Sequence, residues 1–148
     1  HRPTSVDEIT VTNSGMSALM LVTQALVGPG DRAVIVTPMW PNLVEIPKIM
    51  GAQAVTFPLQ FSPDGWRLDL DRLLATLTPD TKLLYLNAPN NPTGWAIDRA
   101  SQKVILEHCR QHGIWILADD AYERLYFDAA PGAPDVAPSF LDLATPED

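Results

Sequence analysis

The sequence predicts an α/β fold: a mainly parallel sheet with flanking helices, arranged in three layers. Short apolar runs rich in β-branched residues recur along the chain, and helical patterns lie between them. Most of the runs are continuous rather than alternating, which is the pattern of strands covered on both faces. With 148 residues, 46% of them hydrophobic, the chain is long enough for one ordinary domain with a core.

In chain order, strands are expected at residues 9–12 (ITVT), 33–37 (AVIVT), 54–57 (AVTF), 83–86 (LLYL) and 115–118 (WILA). Residues 17–27 (SALMLVTQALV) are apolar nearly all round, the pattern of a helix buried inside a larger protein and left partly uncovered in this segment alone. In PNLVEIPKIM, Pro47 removes a backbone donor and should kink or shorten the helix there. Leu70, Leu73, Leu74 and Leu77 follow the i, i+3, i+4, i+7 spacing of a surface helix, and Ile97, Ser101, Val104, Ile105 and His108 trace a second stripe. The stretch 129–138, AAPGAPDVAP, reads as a surface loop, and the chain has no internal repeat.

A net charge of -8 with only ten Lys and Arg argues against a nucleic-acid partner. The lone Cys109 forms no internal disulfide, and no apolar run reaches membrane-spanning length, so the expected compartment is the reducing cytoplasm. The chain lacks an initiator Met and a signal-like start, and PED comes after no closing structural signal; it is expected to be a segment of something longer.

In parallel sheets ligands sit beyond the carboxyl ends of the strands. The segments just beyond these runs are NSGMS, PMWPN, NAPNNPTG and DDAY, each polar or aromatic. Ser14 and Gly15 begin a helix, whose free N–H groups and partial positive charge can hold a phosphate without a lysine; the alternative is an ordinary serine cap. Trp40, set between two prolines, can stack on a planar ring or simply pack in the core. Asp119 ends WILAD, where a carboxylate is costly to bury without a cationic partner, and a protonated pyridine nitrogen would be one. Asn91 and Tyr122 can both donate hydrogen bonds to an aromatic oxygen. NAPNNPTGW holds three Asn, two Pro and one Gly in nine residues, more than a turn requires.

The strings SGMSAL, PMW, NNPTG and DDAY, in this order and spacing, resemble the fold-type I pyridoxal-phosphate aminotransferases of class I/II, over residues 9–127. The resemblance implies that Ser14, Gly15 and Met16 hold the phosphate of pyridoxal 5'-phosphate, Met16 through its backbone alone. It implies that Trp40 stacks on the pyridine, that Asn91 and Tyr122 bond its phenolic oxygen, and that Asp119 pairs with the ring nitrogen. Asp119 and Tyr122 are thereby the candidate catalytic residues. Asp119 rather than Asp120 is the match, because it stands three residues before Tyr122. The activity implied is transfer of an amino group from an amino acid to a 2-oxo acid, by a homodimer when full length, with no nucleic acid and no membrane involved.

Cis peptide bonds are implied at Thr37–Pro38 and Asn91–Pro92. The family's anchoring lysine lies downstream in a Ser-x-Ser-Lys-like context that Lys48, Lys82 and Lys103 lack. Residues 1–148 are therefore expected to be part of the large cofactor-binding domain, without the catalytic-lysine segment or small domain, and inactive alone.

Two alternatives stay open: another enzyme on the same fold, such as a carbon–sulfur lyase or a decarboxylating synthase, and a non-enzymatic effector domain. A Walker-type reading of WILADD fails for want of G-x-x-x-x-G-K-[ST]. HCRQH lacks the Glu of H-E-x-x-H, so His108 and His112 are read as a helix face rather than a metal site. Glu123 and Arg124 are read as surface charges.

Overall fold

The computed structural model describes residues 2–127, 135–145 and 148. Four parallel strands, β1 (Arg32–Thr37), β2 (Gln53–Pro58), β5 (Thr81–Asn87) and β6 (Trp115–Asp119), form a sheet in the order β2-β1-β5-β6. Between β2 and β5 a small antiparallel hairpin, β3 (Gln60–Ser62) and β4 (Gly65–Arg67), stands apart from the sheet. Helices α1 (Gly15–Leu26), α2 (Asn42–Ile49), α3 (Leu70–Thr76) and α4 (Arg99–His112) complete the described elements, with single 3-10 turns at Val6–Glu8 and Phe140–Asp142.

Period-two alternation divides the strand residues between two cores. Val34, Val36, Leu84 and Leu86 point to the face covered by α3 and α4, where they meet Leu73, Leu77, Ile105 and Cys109. Ala33, Ile35, Leu83 and Tyr85 point the other way, onto Leu43 and Ile46 of α2, with Met16, Leu19 and Met20 of α1 packed at the margin. Both faces of β1 and β5 are therefore apolar, which is why their sequences are continuous rather than alternating.

Side-chain caps set the helix starts. Ser14, Asp69 and Asp98 each accept from the backbone N–H three residues on, satisfying a donor that the first helical turn leaves free. Helix α4 stops where Gly113 takes the left-handed conformation, at φ 65°.

Four of the five expected strands are present. Residues 9–12 are not a strand: they pair with no ladder among the described residues, and Ile9 and Val11 are exposed. Alternating β-branched residues favour extended backbone but cannot make a strand without a neighbour for their N–H and C=O groups.

The second helical stripe is also displaced. Ile97 is buried ahead of the helix, so it does not share the helical phase, and the inward face of α4 is Gln102, Ile105, Leu106 and Cys109. Val104 is exposed, and His108 turns sideways to place Nε2 2.9 Å from the Leu77 carbonyl oxygen. Helix α2 does end two residues after Pro47. Of the loop at 129–138, residues 129–134 lie outside the described residues. The bonds Thr37–Pro38 and Asn91–Pro92 are cis, as expected, and Ala88–Pro89 is cis as well.

β1 has β2 on one side and β5 on the other, so the chain leaves the carboxyl ends of β1 and β5 in diverging directions. A crevice opens at such a switch point.

Candidate cofactor site

A cavity of about 600 Å³ lies at these carboxyl ends. Gly15 and Met16 from the start of α1, Trp40 after β1, Asn87 and Asn91 at and after β5, and Asp119 and Tyr122 at and after β6 all line it. Ser14 does not. Its hydroxyl accepts from the Ser17 N–H at 3.1 Å and lies 3.0 Å from the Ser17 hydroxyl, so it caps the helix whose next two residues reach the cavity.

The loop after β5 owes its shape to its asparagines. Asn87 Oδ1 accepts from the Asn91 N–H at 2.7 Å, while its Nδ2 donates to the Asp119 carbonyl at 2.9 Å. One side chain thus ties the NNPTG turn to the end of β6. Asn90, buried, accepts from the Thr93 N–H and hydroxyl, and its backbone closes the turn with Gly94 and Trp95. Gly94 sits at φ 72°, in the left-handed region that a side chain would resist. Asn91 is thereby free to present its amide outward, and Nδ2 lies 3.4 Å from the Tyr122 hydroxyl oxygen. The excess of Asn is explained by three distinct tasks.

Among the described residues, Asp119 receives only neutral donors. The Tyr85 hydroxyl donates to Oδ2 at 3.3 Å and the Ala121 N–H to Oδ1 at 3.2 Å. No Lys, Arg or His is among the described residues lining the cavity. A partly buried carboxylate without a cationic partner is costly, and the cavity beside it offers a place for one.

Tyr85, 2% exposed, has its phenol pushed far above the usual range, first by burial, then by the charge of Asp119 and the hydrogen bond to it; it therefore remains a donor. Asp120 stands between this cavity and a second of about 800 Å³ along β6 and α4, and lines both. Its carboxyl is raised chiefly by burial, against a 2.6 Å hydrogen bond donated by the Ser139 hydroxyl that lowers it, with Glu123, Asp119 and Asp142 adding repulsion.

The residues present fit pyridoxal phosphate. Asp119 supplies an anion for a ring N–H, Trp40 an aromatic face, and Asn91 and Tyr122 side-chain donors in mutual reach. At the start of α1 the Gly15 and Met16 amides are among those without an intrahelical acceptor, and the space where a Gly15 side chain would stand is open for 4 Å. Sequence motifs do not single out Tyr85 and Asn87. Their signal is the strand period: they are two apart on β5, and the parallel register sets Asn87 opposite Asp119.

The family model described as aminotransferase class I and II matches residues 2–145. The chain is 31% identical over 136 residues to arginine–pyruvate transaminase AruH of Pseudomonas aeruginosa, covering 92% of this chain and 34% of that protein. It is 35% identical over 125 residues to an aspartate aminotransferase of Rhizobium meliloti, covering 84% and 30%. Among solved structures, N-succinyldiaminopimelate aminotransferase from Mycobacterium tuberculosis superposes with a TM-score of 0.73 at 31% identity, over 81% of this chain and 31% of that one. The chain spans about a third of the length of the curated relatives it matches.

Proposed function

Since the chain belongs to the aminotransferase class I and II family, we propose that the whole protein transfers an amino group from an amino acid to a 2-oxo acid with pyridoxal 5'-phosphate. The observation that carries this reading is the Asp119 carboxylate, held among the described residues by neutral donors alone and facing a cavity shared with Trp40, Asn91 and Tyr122. When bound, the cofactor supplies a ring that accepts electrons as a bond to the amino acid α-carbon breaks.

The chain's own residues determine how well it does so. Asp119 keeps a proton on the ring nitrogen by favouring the charged N–H, which maintains the ring as an electron acceptor. Asn91 and Tyr122 donate to the ring oxygen and fix its orientation. Trp40 covers a ring face and excludes water. The first amides of α1, with the partial positive charge of that helix terminus, take the phosphate.

Residues 1–148 are read as part of the large domain, with the anchoring lysine and the small domain supplied elsewhere in the whole protein. We further read that protein as a cytoplasmic homodimer. The lone, buried Cys109 suits the reducing compartment in that reading. The lyase, synthase and effector-domain alternatives share this cradle, but the named relatives are transaminases, which favours transfer.

The test is to assay the purified whole protein, loaded with pyridoxal phosphate, against a panel of amino acids and 2-oxo acids including pyruvate. Transfer well above the free-cofactor background, lost in Asp119→Ala, is the expected result. Elimination products with no amino-group transfer would assign a lyase instead.

A further inference from the structure

Tyr85 is the largest of the side chains buried to within 2% of full enclosure, and it lies among aliphatic neighbours on the α1–α2 face of the sheet. A phenylalanine would fill that volume without bringing a polar group that must find a partner. The hydroxyl does find one, and it is the carboxylate on which the site turns. Tyr85 is in register with Leu117, and its ring reaches along the strands to Asp119, which lies opposite Asn87.

With Oδ2 held by the Tyr85 hydroxyl and Oδ1 by the Ala121 N–H, the carboxylate cannot rotate without breaking both bonds. A neutral hydroxyl also fills this acceptor position without supplying the positive charge that would compete with a ring N–H for the carboxylate.

We propose that Tyr85 is a positioning residue that orients the Asp119 carboxylate toward the cofactor's ring nitrogen, an inference that rests on the function proposed above. Tyr85 acts only through Asp119; it does not itself line the cavity.

The test uses the whole protein in four forms: wild type, Tyr85→Phe, Asp119→Asn and the double variant. Each is loaded with pyridoxal 5'-phosphate carrying nitrogen-15 in the ring. Two quantities are read: the ring nitrogen chemical shift and the cofactor dissociation constant. Tyr85→Phe should move the nitrogen signal toward neutral pyridine and weaken retention about 2- to 10-fold, as for loss of one hydrogen bond. In the Asp119→Asn background the same change should move neither.

An unchanged signal in Tyr85→Phe, or an equal loss of retention with and without Asp119, overturns the proposal and leaves Tyr85 as core packing. If Asp119→Asn itself matches wild type, it is the assignment of Asp119, and with it the functional reading, that falls. Should Tyr85→Phe fail to fold, fluorotyrosine at position 85 preserves the shape and strengthens the donor. The ring nitrogen signal must then shift in the opposite sense, and no shift overturns the proposal.

Discussion

The sheet is tied by polar side chains at both ends of its strands, with opposite results. At the amino end Arg32, the first residue of β1, donates from Nη1 to the Thr76 carbonyl at 2.9 Å, to the Thr78 hydroxyl at 3.3 Å and to the Thr81 hydroxyl. One cation stitches β1, β5 and the end of α3, and its partners are all within the chain. At the carboxyl end Asn87 stitches β5 to β6 in the same way, and Tyr85 reaches across to Asp119. There, however, Asp119 receives no cation from the described residues, and Asn91 and Tyr122 stand at the cavity wall. A closed polar cluster contributes stability alone; an incomplete one of similar construction is available to a ligand.

That contrast is testable by cutting each end. Asp119→Ala in the whole protein should lower kcat about 10²–10³-fold, comparable to removal of one preorganised electrostatic group. The isosteric Asp119→Asn, whose amide oxygen can still accept from the buried Tyr85 hydroxyl, should keep a denaturation midpoint near wild type; a protein that unfolds instead would make Asp119 structural. Arg32→Ala should do the reverse, costing about 1.5–3 kcal/mol in denaturant melts because a charged donor to several acceptors is lost. Cofactor affinity should not change, and if it does, the two ends are not separable.

Asp98, which caps α4 with bonds to the Ser101 N–H and hydroxyl, lies at neither end of the contrast and calibrates it. Asp98→Ala should cost about 1 kcal/mol, the usual worth of a helix cap. The smallest effect concerns Asp120. Its carboxyl is raised in the folded chain by burial, so its contribution to stability is complete below the unfolded value of 3.8 and is lost as pH rises through the raised native value. Asp120→Asn should therefore gain on wild type as pH rises across that window, by less than the Asp98 effect because the site is partly solvated. Parallel melts from acid to neutral pH would show the two curves converging at low pH; a constant offset would contradict the assignment.

Most of the sheet was legible because strands covered on both faces leave little ambiguity: AVIVT and LLYL can hardly be anything else. Residues 9–12 have the same chemistry but lack a partner, and pairing is a property of the neighbour, not of the run. In α4 one residue outside the helix, Ile97, was enough to rotate the inferred face, because its burial comes from the core rather than from the helical phase.

The cavity residues Gly15, Met16, Trp40, Asn91, Asp119 and Tyr122 were found from motif order, which records where loops leave strands. Tyr85 and Asn87 were not, because their role exists only across a strand pair. Tyr85 reads as one more apolar strand residue until β6 is laid beside it.

The strand order carries a kinetic consequence. Arg32 and Thr81, which pair at the junction of β1 and β5, are 49 residues apart along the chain. Closing that distance costs chain entropy before it returns any contact, so the union of β1 with β5 belongs to the slow part of folding, after local helices have begun to form. Trp40 leaves one of these strands and Asn91 the other, so neither can help to enclose a ligand until that union is made. A molecule that binds there recognises only chains that have completed the difficult step, and by mass action it draws the remainder after them.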